Sequence, residues 1–197
     1  MLGLDFDNTI ISYDKLFHKV ALERKLLPSS FPTDKNEIRN FLYRLNMKDE
    51  WTRMQGEVYG NRINEAKPFE GLLETLHTLK ESSIRMCIVS HKTRTPYLGP
   101  NYDLHQAARE WMTEQGFFDK KGLSLEEDDI FFKPTKEAKV RQIVSLGCTY
   151  YIDDLPEILQ MLPGKLTKIL FSQKDNTENQ NDWLVLRSWK DLPRLIL

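Results

Sequence analysis

The chain has 197 residues, 40% of them hydrophobic and 29% charged, with a formal net charge of -1 and a mean hydropathy of -0.52. That length suits one domain, or one domain with a sizeable insertion, and lets roughly 70% of the unfolded surface be buried without a disulfide or structural metal. The near-zero charge gives no global pull toward nucleic acid. No apolar run approaches the ~20 residues that span a bilayer, and the short apolar start ending at Asp5 has no signal-peptide pattern, so a cytoplasmic location without a membrane partner is expected.

In chain order, a first buried strand is expected at 2–4. It ends in Asp5-Phe6-Asp7-Asn8-Thr9, where alternation along a strand puts both acids on one side. Asp, Asn and Thr also favour turns and helix caps, so downstream partners must decide between a turn and a site. Like charges ~4 Å apart cost roughly 4 kcal/mol at an effective dielectric of about 20, a cost that needs a cationic or chemical reason.

Three helical stretches follow, at 13–27, 34–45 and 47–58. Pro28-Ser29-Ser30-Phe31-Pro32 separates the first two, and Asp34 is placed to cap the second. A parallel crossover needs only about a dozen residues, and the amphipathic helix at 68–81 supplies it. Residues 12–67 therefore read as a helical insertion placed to act as a lid. Its Trp51, Met54 and Tyr59 could line a cleft, but a stripe at helical spacing reads more readily as core.

A second strand at 84–89 ends at Ser90, followed by His91-Lys92-Thr93-Arg94. Pro96, Gly99 and Pro100 forbid a long helix before Asp103, so this loop is expected to border the cleft and offer His91, Lys92, Arg94 and Tyr97 to an anionic substrate. A helix at 104–115 precedes a strand at 130–132, which runs into Lys133-Pro134-Thr135-Lys136 at the start of a helix at 135–146 with Gly147 as its stop. A strand at 148–152 ends in Asp153-Asp154, and another is expected at 168–171. Residues 174–182 form a polar, Asn-rich loop, and 183–186 suits an edge strand. Cys87 and Cys148 read as buried, reduced thiols.

Strands alternating with amphipathic helices imply an α/β fold with an open parallel sheet, and ligands bind such sheets beyond the carboxyl ends of the strands. Those ends deliver Asp5 and Asp7, Ser90, a lysine, and Asp153 with Asp154. Four carboxylates in one cleft repel, and one lysine cannot offset them. Oxygen-only ligands with room for a phosphate suit Mg²⁺.

This ordered set resembles the haloacid dehalogenase (HAD) superfamily, whose D-x-D-x-T, Ser/Thr, Lys and acidic-pair motifs match Asp5 to Thr9, Ser90, the Lys133 region and Asp153-Asp154. The resemblance implies a Rossmann-like parallel sheet flanked by helices. Residues 1–11 and 68–197 would form the core domain, with a small helical cap, 12–67, inserted after the first strand. It further implies a phosphatase acting through an aspartyl-phosphate. Asp5 would be the nucleophile, Asp7 the general acid and then base, and Thr9 would orient Asp7. Ser90 and a lysine would hold the transferring phosphoryl oxygens. Asp5, the backbone carbonyl of Asp7 and Asp153 would bind Mg²⁺, with Asp154 as a further ligand.

Lys133, Lys136 and Lys139 are all candidates for the motif lysine. Lys133 is preferred because Lys133-Pro134 matches the family's K-P pattern, which leaves Lys136, with Phe6 and the residues after Ser90, to contact substrate. Dehalogenases lack an acid two residues after the nucleophile, so Asp7 points to phosphate transfer. The expected substrate is a small phosphorylated metabolite. A nucleotide or nucleic-acid-end phosphatase and a non-catalytic binding protein on the same fold are the alternatives.

Overall fold

The computed structural model describes residues 1–174 and 183–197, so all of the expected Asn-rich loop beyond Lys174 lies outside the described residues. In chain order the elements are β1 (Leu2–Leu4), β2 (Ile11–Ser12), α1 (Asp14–Glu23), α2 (Lys35–Arg44), α3 (Lys48–Tyr59), β3 (Lys67–Pro68), α4 (Leu72–Glu81) and β4 (Met86–His91). They continue with α5 (Leu104–Glu114), β5 (Ile130–Lys133), α6 (Lys136–Ser145), β6 (Tyr150–Asp153), α7 (Pro156–Met161), β7 (Thr167–Phe171), β8 (Leu184–Leu186) and α8 (Leu192–Ile196). None of the described helices is long and apolar enough to cross a membrane. The chain divides into two compact units: Met1–Ile11, Pro68–Lys92 and Gln115–Leu197 form one, and Ser12–Lys67 with Thr93–Glu114 form the other.

The first unit is a six-stranded sheet in the order β5-β4-β1-β6-β7-β8, with every neighbouring pair parallel. Its central strands are buried almost throughout, as expected when helices cover both faces of a parallel sheet. Register determines which face each side chain meets. Gly3 pairs with Cys87 on one side and Tyr151 on the other, and this face packs against Ile143 of α6 and Ile158 and Leu159 of α7. Leu4, Ile88 and Ile152 are likewise in register and point to the opposite face. A methyl group on Gly3 would lie 2.6 Å from the Tyr151 ring and 3.0 Å from Cys148 Sγ, so only glycine fits there. Cys87 and Cys148 are buried free thiols, their sulfurs 3.7 Å apart. From β1 the chain builds outward through β4 and β5, then returns to the other flank of β1 as β6. The carboxyl ends of β1 and β6 therefore flank the switch point where such sheets bind ligands.

The second unit is helical and larger than the insertion expected from sequence, because 93–114 packs with it although the motif order places that stretch among the core residues. Two glycines of the insertion show how closely the segments fit. A methyl group on Gly56 would come within 2.9 Å of Pro96 Cβ, and one on Gly60 within 2.7 Å of Tyr102 Cβ. The Trp111 indole donates to the Ala66 carbonyl at 2.9 Å. Asp34 caps α2 as expected, accepting from the amides of Asn36 and Glu37 at 2.8 and 3.0 Å. The aromatic stripe is core: Trp51 stacks on Phe17 at 4.6 Å, Tyr59 meets Tyr13 at 4.8 Å, and Met54 is fully buried. On this unit's surface Arg62 gathers Glu23, Glu57 and Glu65.

Candidate active site

Asp5 follows β1 directly, its amide donating to the Ile152 carbonyl of β6 at 2.9 Å. Alternation carries its side chain to the Gly3 face, the same face that Asp153 takes after Tyr151. A tight turn follows. The Phe6 carbonyl accepts from the amides of Ile10 and Ile11 at 3.0 and 3.2 Å, and Asn8 adopts a left-handed φ of 60°, a conformation Asn tolerates better than most residues. The D-x-D-N-T run is thus a turn that carries Asp5 at the carboxyl end of β1.

The Asp5 carboxylate is buried and heavily coordinated. Oδ1 accepts from Ser90 Oγ at 2.9 Å and from Lys139 Nζ at 2.5 Å, and Oδ2 accepts from Thr9 Oγ1 at 3.3 Å. Lys139 lies on the inward side of α6, one turn before Ile143, and its ammonium also donates to Asp153 Oδ2 at 2.7 Å. Burial drags on the Lys139 ammonium, but the charges of Asp5 and Asp153 outweigh it and hold its pKa above the usual lysine range. Burial also acts on Asp153, lifting it to about 7 against the opposing pull of Lys139 and with repulsion from Asp5 added. Asp153 Oδ1 accepts from the Leu155 amide at 2.9 Å, so Asp153 braces the start of α7. Thr9 is fixed from behind by the Trp189 indole, which donates to its carbonyl at 3.2 Å.

Asp5, Asp153 and Asp154 each present a carboxylate oxygen within 4.8 Å of the others. Three hard oxygen donors at that spacing fit a magnesium ion and are a poor match for soft or borderline metals. The Asp7 carboxylate stands outside this cluster and pairs instead with Lys92, at 2.9 and 2.8 Å through its two oxygens.

No family model matches the sequence. Among proteins of known description, the chain is 23% identical over 96% of its length, and 95% of the relative's, to a candidate nucleotidase of Oceanobacillus iheyensis. It is 22% identical over 74% of its length, and 68% of the relative's, to a candidate nucleotidase of Bacillus cereus. Among solved structures it superposes with a TM-score of 0.62, at 14% identity, on a candidate HAD hydrolase of Bacillus subtilis crystallised with magnesium, covering 99% of this chain and 97% of that one. The chain has the fold of the haloacid dehalogenase-like hydrolases.

Within this HAD fold, four expected residues are placed otherwise than the motif order suggests. The lysine brought to Asp5 and Asp153 is Lys139, not Lys133. Lys133 ends β5 with its ammonium 5.7 Å from the Phe131 ring, and it contributes its carbonyl to the Lys92 amide at 2.9 Å. Thr9 bonds Asp5 and not Asp7. Phe6 is fully buried, with its ring edge-on to Phe132. Lys92, expected to be offered to an anionic substrate from the cleft border, pairs with Asp7 and has a side chain only 2% exposed.

The other candidates are less committed. His91 Nε2 lies 3.1 Å from the Pro134 carbonyl, and Lys136 pairs with Glu157 at 2.6 Å. Arg94 belongs to the helical unit and pairs there with Asp103 at 3.0 Å. Sequence did carry a signal for Lys139, because it sits four residues before Ile143 and so on the same helical face.

Proposed function

We propose that this chain is a magnesium-dependent phosphomonoesterase acting through an aspartyl-phosphate on Asp5. The observation that supports this best is the Asp5 carboxylate itself, buried at the switch point and held by Ser90, Thr9 and Lys139. A carboxylate so fixed is pre-organised for in-line attack on phosphorus.

In the first step an Asp5 oxygen forms a bond to phosphorus as the P–O bond to the substrate alcohol breaks, and Asp7 gives that leaving oxygen a proton. In the second, water attacks the phosphoryl group, Asp7 takes its proton, and Asp5 leaves as a free carboxylate with release of orthophosphate. Lys139 and Ser90 supply positive charge and a hydroxyl donor where charge accumulates on the phosphoryl oxygens. Asp5, Asp153 and Asp154 would hold the magnesium ion, with the Asp7 carbonyl as a further oxygen. Bound there, the ion neutralises phosphate charge so that an anionic nucleophile can approach.

The substrate class is a small phosphate ester, and the two relatives described as candidate nucleotidases favour nucleoside monophosphates within it. The test is phosphate release from nucleoside monophosphates, sugar phosphates and an aryl phosphate by wild type and Asp5→Asn, with and without Mg²⁺. Turnover confined to wild type plus Mg²⁺ is expected. Equal turnover in both proteins, or turnover that survives metal removal, overturns the reading.

A further inference from the structure

Two side-chain pairs join the end of β4 to the residues after β1, and both span the same sequence separation. Ser90 donates to Asp5 and Lys92 donates to Asp7, each pair 85 residues apart. Spacing of two on one strand end thus meets spacing of two on the other. The parallel register that brings Leu4 opposite Ile88 places Ser-x-Lys alongside Asp-x-Asp, one partner for each acid.

The two lysines are divided in the same way. Lys139 serves Asp5 and Asp153. Lys92 serves Asp7, donating to both of its oxygens. Lys92 is the more deeply set of the pair, its side chain 2% exposed against 19% for that of Asp7. A ligand reaching this ion pair meets the carboxylate first. Lys92 is held as well as hidden: its amide donates to the Lys133 carbonyl at 2.9 Å, and its ammonium lies 5.6 Å from the Phe6 ring.

We propose that Lys92 is the positioning residue for Asp7, fixing the carboxylate where it exchanges a proton with the leaving oxygen, and is not part of the phosphate grip. This rests on the phosphatase reading above and adds a residue to it. A proton-transferring acid matters most when the departing alkoxide is a poor leaving group, and general acid catalysis contributes ~10²- to 10⁴-fold. Loss of its positioning residue should therefore depend on the leaving group, whereas loss of a phosphate contact should not.

The experiment compares an alkyl phosphate with an activated aryl phosphate in wild type, Lys92→Met, Lys92→Arg and Asp7→Asn. Lys92→Met is expected to lower kcat on the alkyl ester ~10²-fold and on the aryl ester less than ~10-fold, with KM nearly constant for both. Lys92→Arg should recover part of the alkyl-ester loss. The double variant Asp7→Asn/Lys92→Met should be no slower than Asp7→Asn alone, since the two residues act as one unit. A rise in KM for both esters alike would assign Lys92 to phosphate binding and overturn the proposal. An equal fall in kcat on both esters, accompanied by a lowered Tm, would assign it to the fold and overturn it too. Absence of Asp5-dependent turnover in wild type overturns the phosphatase reading along with this one, whereas Asp5-dependent turnover without the leaving-group pattern overturns this one alone.

Discussion

The Lys139 ammonium stands 2.7 Å from Asp153 Oδ2 while also touching Asp5 Oδ1, so one cation joins the carboxylates that end β6 and β1. All three side chains are at most 5% exposed. Removing one partner of a buried ion pair leaves an uncompensated charge and costs about 3–5 kcal/mol. Lys139→Met is therefore expected to lower stability by about that amount in urea titrations and to abolish phosphate release. Lys133→Met, which breaks no ion pair, should cost less than ~1 kcal/mol in the same titrations.

The oxygen cluster of Asp5, Asp153 and Asp154 makes metal binding readable without turnover. A ligand of the native state at about a hundred times its Kd stabilises by ~2.7 kcal/mol, or roughly 5 to 10 °C in Tm for a chain of this size. Mg²⁺ should raise the wild-type Tm on that scale in differential scanning calorimetry, and EDTA should reverse it. Asp154→Asn should shrink the shift, while Asp49→Asn, on the helical unit, should leave it intact.

The Arg62 network predicts a pH dependence confined to the helical unit. Hydrogen bonds from Arg62 first, and from Lys19 second, hold Glu65 down at about 2, below its ordinary 4.5. A depressed carboxylate stabilises the folded form fully above its unfolded pKa, so this contribution is present above about pH 4.5 and is lost as the pH falls toward 2. Glu65 is one-third exposed, so solvent screening limits the effect to ~1 kcal/mol or less. Glu65→Gln should lower the neutral-pH Tm by a few degrees at most and flatten the acid limb of the Tm–pH curve between pH 4.5 and 2.

Much of this arrangement was legible in the sequence because parallel strands write themselves as short apolar runs and their ends as polar residues. The runs at 2–4, 130–132 and 148–152 correspond to β1, β5 and β6, and the acids at Asp5 and Asp153 fall where those strands stop. The lysine was harder. Helix α6 is amphipathic in a mixed way: Val144 is 46% exposed, while Lys139 is 1% exposed. An apolar tally along that helix therefore passes over Lys139, which shares the buried face of Ile143, and the Lys-Pro pattern at Lys133 draws attention to the wrong turn. The Ser90/Lys92 and Asp5/Asp7 match depends on strand register, which only becomes visible once β1 and β4 are aligned. Residues 93–114 join the helical unit through contacts with Gly56 and Gly60, and loop composition alone carries no trace of that.

Gly3 gives the site an unexpected point of fragility. β1 has three residues, and its middle one lies between Cys87 and Tyr151 with no side chain of its own. Any Cβ there must displace the Tyr151 ring or the Cys148 sulfur, and Tyr151 is itself pinned by its hydroxyl to the Val89 carbonyl at 2.5 Å. Overpacking of this kind costs about 1–3 kcal/mol, so Gly3→Ala should unfold at lower urea, and Cys148→Ala should relieve only the sulfur's share. With so short a strand there is no slack to absorb a shift before Asp5, two residues on. The spacing between Asp5 and Lys139 is thus gauged by a residue that touches neither, and a methyl group added at the sheet's centre should degrade turnover as surely as one added in the cleft.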